Sequence, residues 1–102
     1  MKKVDQNQFD ILRKINSKPN SSQRELASEL GFSLGKLNYC LRALKNKGLI
    51  KIKNFKTNPN KLGYAYILTP KGISIKSRLT LNFMKRKMQE YDELKSEIES
   101  KK

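Results

Sequence analysis

Apolar residues recur along this chain at two spacings, and the change from one to the other divides it into elements. Phe9, Leu12 and Ile15 sit three apart behind Asp5, with Gln8 three residues after it in capping-box spacing. This predicts a helix that "NSKPNSS" breaks. A second helix is expected to open at Ser22, where "SQRE" repeats the capping pattern. Its inward face is Leu26, Ala27 and Leu30, and Gly31 stops it. Ser33 is a good N-cap for a third helix, which carries Leu37, Leu41 and Leu44 inward and ends at "NKG".

The period then shortens. In "LIKIKNF", Ile50 and Ile52 alternate with Lys51 and Lys53, as in a strand with one wet face; "KTNPNKLG" reads as a turn, and "YAYIL" as a second strand pairing with the first. Thr69 and Pro70 have the chemistry of an N-cap and a first helical residue. No helix breaker follows from Ile73 onward, so a last helix of about 30 residues is expected. Leu81, Met84, Met88, Tyr91 and Ile98 follow three- and four-residue steps along it, with Lys95 in the seam and Leu94 beside it. That is an imperfect heptad stripe suited to pairing with another helix, with Leu79 and Phe83 expected to add contacts near the head. Folding of the helix back onto its own domain is the alternative.

Three short helices, a hairpin and a long helix form the order of a winged helix-turn-helix. The expected fold is mainly α with a small β-hairpin: a head over residues 1–69 and a coiled-coil dimerisation helix over 70–102. In such a head the "GFS" turn holds the third helix out from the core, with its polar face exposed.

Charge gives that face a direction. The formal net charge is +14 on 102 residues, and no Asp or Glu lies between Glu29 and Glu90, an interval with 14 Lys and Arg. From Lys85 onward six basic residues meet five acidic ones, so the positive field belongs to the first part of the chain. Such a field calls for an acidic partner. There is no histidine, Cys40 is the only cysteine, and no paired carboxylates sit in an apolar setting; neither metal ligation, nor a cofactor, nor enzymatic acid–base chemistry is expected. "MKKVDQNQF" has no apolar run behind it and no later segment would span a bilayer, so a cytoplasmic protein without a membrane partner is expected. A lone thiol agrees with a reducing compartment. Cys40 reads as a small core residue.

The major groove of double-stranded DNA admits a helix and is read by side chains near its N-terminus. Ser33, Gly35, Lys36, Asn38, Tyr39 and Arg42 supply that chemistry on the third helix, where Lys36 stands in a first turn that often holds an acid. Lys53, Lys56 and Lys61 of the hairpin suit phosphates or the adjacent minor groove.

The run "ELASELGFSLGKLNYCLRALKNKGLI" with "YILTPKG" resembles the winged-helix core of MarR-type bacterial regulators. From Gln8 to about Ile98 the chain is similar to the small MarR-like regulators associated with exopolysaccharide gene clusters, most specifically in "SLGKLNYCLRALKNKGLIKIKNF" and "FMKRKMQEY". The resemblance implies transcriptional control by a DNA-bound homodimer on a palindromic operator. It implies base contacts from Ser33, Gly35, Lys36, Asn38, Tyr39 and Arg42, and backbone contacts from Ser22, Gln23 and the wing lysines. It also implies pairing through Leu81, Met84, Met88, Tyr91, Leu94 and Ile98. Typical MarR proteins have a longer dimerisation region and an acidic, arginine-bearing wing. Here "NFKTNPNKLG" has neither Asp nor Arg and a single helix follows, which gives no support for a small-molecule effector. Two other functions fit the charge: a winged-helix module docking an acidic protein, and non-specific nucleic-acid binding.

Overall fold

The computed structural model describes residues 4–58 and 61–100, without the side chains of 54–58 and 61–64. Four helices and one antiparallel hairpin follow in the order α1 (Gln6–Ser17), α2 (Gln23–Leu30), α3 (Leu34–Asn46), β1 (Ile50–Asn58), β2 (Lys61–Leu68) and α4 (Pro70–Ser100).

The helix ends are set by local chemistry. Asp5 caps α1 by accepting from the Gln8 amide at 2.8 Å. The reciprocal half of that capping box does not form, because the buried Gln8 side chain instead accepts from Lys47 Nζ at 2.6 Å. At α2 the box is complete: Ser22 Oγ accepts from the Glu25 amide, and the Glu25 carboxylate accepts from the Ser22 amide. Gly31 ends α2 at φ 71°, a left-handed conformation that favours glycine. Two residues later Ser33 starts α3 by accepting from the Lys36 amide at 3.1 Å.

One core joins the three short helices to the base of the hairpin. Ile11, Leu12, Leu26, Leu37, Leu44, Leu49 and Ile50 are all but fully buried, and Cys40 lies among them. Burial of each large side chain contributes roughly 1.5–3 kcal/mol, which is why this stripe of α3 faces in and its polar side faces out.

The hairpin is longer than its composition suggests. Ile50 pairs with Leu68 and Ile52 with Tyr66, and the ladder continues to Asn58 opposite Lys61 with one irregularity between Lys56 and Asn58. The segment read as an eight-residue turn is therefore mostly paired strand. A two-stranded ribbon continues through backbone hydrogen bonds between its strands, so Asn, Lys and Thr do not end it.

Between β2 and α4 stands one residue, Thr69. Its amide donates to the Leu49 carbonyl at 3.0 Å, its hydroxyl donates to the Gly48 carbonyl at 2.6 Å, and that same oxygen accepts from the Gly72 amide at 3.0 Å. Lys71 Nζ closes the end of α3 by donating to the Lys47 carbonyl at 3.1 Å. Gly72 is buried so tightly here that a Cβ on it would lie 2.0 Å from the Leu49 carbonyl oxygen.

The first turns of α4 lie on the head. Phe83 packs against Phe9 of α1 with ring centroids 6.2 Å apart, and Leu79 lines the cleft between α4 and the head. Both residues were expected to help helix pairing; they face their own head, since they fall on the opposite side of α4 from Met84 and Met88. From Met84 to Ser100 every residue is exposed, so the helix projects from the head rather than folding back, and the molecule extends 67 Å along its longest axis.

Candidate nucleic-acid interface

The outward face of α3 gathers the residues that its sequence marked. Ser33, Gly35, Lys36, Asn38, Tyr39 and Arg42 are all exposed, and Tyr39 reaches 76%. No acid lies in the first turn, so the positive end of the helix dipole is left uncompensated. Lys36 holds its ammonium 4.1 Å from the centroid of the Phe32 ring, which fixes the charge beside the start of α3.

Gly35 is unlike the other described glycines. Gly31 and Gly48 have positive φ, and Gly72 has no room for a side chain. At Gly35 a Cβ would meet nothing within 4 Å, and its φ is not positive. A glycine inside a helix is destabilising by roughly 0.5–1 kcal/mol relative to alanine, and nothing in the head's own packing requires it here.

Beside this helix stands the wing. Lys51 and Lys53 are exposed on β1; the side chains of Lys56 and Lys61 lie outside the described residues. Ser22 and Gln23 at the start of α2 are half-buried, and Gln23 Nε2 donates to the Tyr66 hydroxyl at 3.0 Å, tying α2 to the wing. Ser22, Gln23, Ile52 and Tyr66 line an open cavity of about 410 Å³. The two backbone-contact candidates on α2 thus lie next to the base of the wing and carry structural duties of their own.

These details fix the architecture. Residues 4–51 match the family model described as winged helix-turn-helix DNA-binding. The repressor CouR, solved on a 23-mer DNA duplex, superposes with a TM-score of 0.76 at 24% identity over 90% of this chain and 63% of that one. The head is a winged helix-turn-helix. The zinc-responsive MarR family member ZitR of Lactococcus lactis gives a TM-score of 0.71 at 24% identity, covering 91% of this chain and 62% of that chain. MarR of Staphylococcus aureus, solved with salicylate and kanamycin, gives 0.71 at 22%, covering 85% and 57%. At these identities the likeness is one of fold, and the chain spans about three fifths of the length of these structures. No curated protein matches it by sequence.

Within this winged helix, several cations that add to the basic field serve the fold. Lys47 bonds Gln8, Lys71 bonds the end of α3, and Lys18 donates to Glu29. A cleft of about 810 Å³ also opens between α1, the end of α3 and α4, where Ile75 and Leu79 meet Lys71, Arg78 and Arg86. Nothing in the linear pattern announces this cleft, because its walls come from three separate elements. No described helix is long and apolar enough to cross a membrane, and no metal-binding cluster occurs among the described residues.

Most of the exposed apolar residues among those described lie on α4, the others being Leu34 and Tyr39 on α3 and Ile52 on β1. Leu81, Met84, Met88, Tyr91, Leu94 and Ile98 are each more than half exposed, as is Ile73, which the stripe as read from sequence did not include.

Proposed function

We propose that the protein is a sequence-specific double-stranded DNA-binding transcription regulator of the MarR kind, which acts as a homodimer on a palindromic operator. The observation that carries this reading is Gly35: a helix start with a free dipole, flanked by Lys36, Asn38 and Arg42, with a missing side chain that the head's own packing does not require. A backbone surface that must approach phosphates or base edges closely accounts for such a glycine.

In this reading Lys36, Asn38, Tyr39 and Arg42 enter the major groove with Ser33, while Ser22, Gln23, Lys53, Lys56 and Lys61 meet phosphates on either side. Two heads are needed because one offers few base contacts. The stripe of α4 supplies the means: from Met84 onward the helix is exposed all round, and none of the described residues of its own chain covers its apolar face. Residues 1–69 then act as the DNA-binding unit and 70–102 as the pairing segment. By resemblance, the regulated genes are of the exopolysaccharide or surface-polysaccharide type, and the protein works in the cytoplasm without cofactor, metal or enzymatic step.

Fluorescence anisotropy with the duplex upstream of its own gene, and with a scrambled duplex, tests this at low and physiological salt. Preference for the first that survives at physiological salt is expected, with affinity falling about 10³ to 10⁵ between 50 and 200 mM if each dimer covers about 6–10 phosphates. Equal binding of both duplexes would instead favour non-specific coating. Absence of binding would favour an acidic protein partner.

A further inference from the structure

The charge on α4 is segregated along its length. Its first twenty residues carry Lys71, Lys76, Arg78, Lys85, Arg86 and Lys87 and no acid, while residues 90–100 carry Glu90, Asp92, Glu93, Glu97 and Glu99 against Lys95 alone. In the terminal turns, where the helix dipole favours acids at the N-terminus and bases at the C-terminus, Lys71 and then Glu97 and Glu99 stand the other way round. A long isolated helix has no reason to adopt this pattern, whereas two helices side by side have one.

From this segregation we infer that two copies of the chain pair through antiparallel α4 helices, so that the acidic end of each lies along the basic middle of the other. The inference rests on the self-pairing proposed above and adds its direction. The stripe has its own centre between Met88 and Tyr91. Pairing about that centre brings Met88 against Tyr91 of the second copy, and Leu81 against Ile98. In the same register Lys85 falls beside Asp92 and Arg86 falls level with Glu93. Lys95 then faces Met84, whose flexible thioether chain leaves room for the lysine stem to run outward to water. Parallel pairing does the reverse. It sets Lys95 on Lys95, crowds the acidic ends together and holds the two basic halves side by side, with the flanking Lys87 and Asp92 as its one favourable contact.

The direction sets the spacing of the heads. Pro70 lies about 20 residues from the centre of the stripe, or about 30 Å at 1.5 Å per residue, so the two helix starts stand about 60 Å apart. Half-site centres two helical turns apart, about 68–72 Å, suit that span better than one turn.

Disulfide trapping separates the directions. Leu81→Cys and Ile98→Cys are made as separate chains; both positions are exposed, and the native thiol of Cys40 is buried away from the exchange. Under mild oxidation, cross-links are expected in the mixture of the two variants and not in either alone. In the antiparallel pair identical positions are about 25 Å apart, while a disulfide needs Cα atoms within about 7 Å. Self-cross-linking of each variant, with none between them, would overturn the inference while leaving the dimer in place. Sedimentation of the unaltered chain as a monomer at the same concentration would overturn the self-pairing itself, and the antiparallel arrangement with it.

Discussion

Replacing Gly35 with alanine should make the head more stable and a poorer binder of DNA, two effects that usually travel together in the other direction. The backbone at Gly35 is helical, and the added methyl meets nothing within 4 Å, so no strain opposes the substitution. Alanine exceeds glycine in helix propensity by about 0.8–1.0 kcal/mol in an interior position, and less in a first turn, so a gain of about 0.5–1 kcal/mol is expected. For a domain of this size that raises the midpoint of thermal unfolding by roughly 2–6 °C. In the proposed DNA complex the same methyl would stand where the helix start approaches the duplex. Overpacking of a close contact costs about 1–3 kcal/mol, which weakens operator binding roughly 5- to 150-fold. Thermal unfolding followed by circular dichroism, with anisotropy titration of the same preparation, reads both effects. Unchanged affinity together with the gain in stability would refute the close approach at Gly35, and a loss of stability would refute the claim that the head leaves that space empty.

Gly72→Ala should have the opposite consequence for stability, because its Cβ would stand 2.0 Å from the Leu49 carbonyl; a loss of about 1–3 kcal/mol in chemical denaturation is expected, and a neutral result would mean that the junction is looser than described. Lys53→Ala should weaken operator and scrambled duplex alike and lower the salt slope by about one, whereas a change in sequence preference would assign the wing a role in base reading. Glu29 is held below the ordinary carboxylate range chiefly by the hydrogen bond from Lys18, with Lys14 also nearby. Its contribution to stability is therefore present above the unfolded carboxylate's pKa and lost as pH falls through the depressed folded value. Glu29→Gln should flatten that acid limb of a stability–pH profile, and an unchanged limb would count against the pair. Burial pushes the Cys40 thiol up, so alkylation at neutral pH should wait for denaturant; ready labelling of the native protein would show that the α3 core opens.

The parts of the fold legible in the sequence are those fixed by neighbours in the chain. Ser22 with Glu25, Ser33 with Lys36, and the glycines after α2 and α3 act over three or four residues, and a linear reading finds them at the right places. The polar face of α3 is legible for the same reason, since helical spacing alone separates Leu37, Leu41 and Leu44 from Lys36, Asn38 and Arg42. Contacts between distant segments leave weaker traces. Phe83 is an aromatic residue one place from the α4 stripe, and only the position of Phe9 on α1 decides that it turns inward. Gly72 looks like an ordinary helix-start residue until the Leu49 carbonyl is brought against it. Lys47 and Lys71 count as surface charge in a sequence but serve as hydrogen-bond donors within the head. The hairpin itself is legible, but its length is not: turn-forming residues and the far end of a two-stranded ribbon have nearly the same composition.

The junction at Thr69 makes each chain a lever without a joint. One residue separates the wing from α4, and both of its backbone neighbours, Leu68 in the ladder and Pro70 in the helix, belong to regular elements. With the Thr69 hydroxyl on Gly48 and its amide on Leu49, rotation of α4 carries α3 with it. An arm about 30 Å long swung by roughly 10° moves its far end by about 5 Å, more than the roughly 3.4 Å rise of one base step. In the proposed dimer on DNA, a change in how two such arms cross would therefore become a change of reading frame.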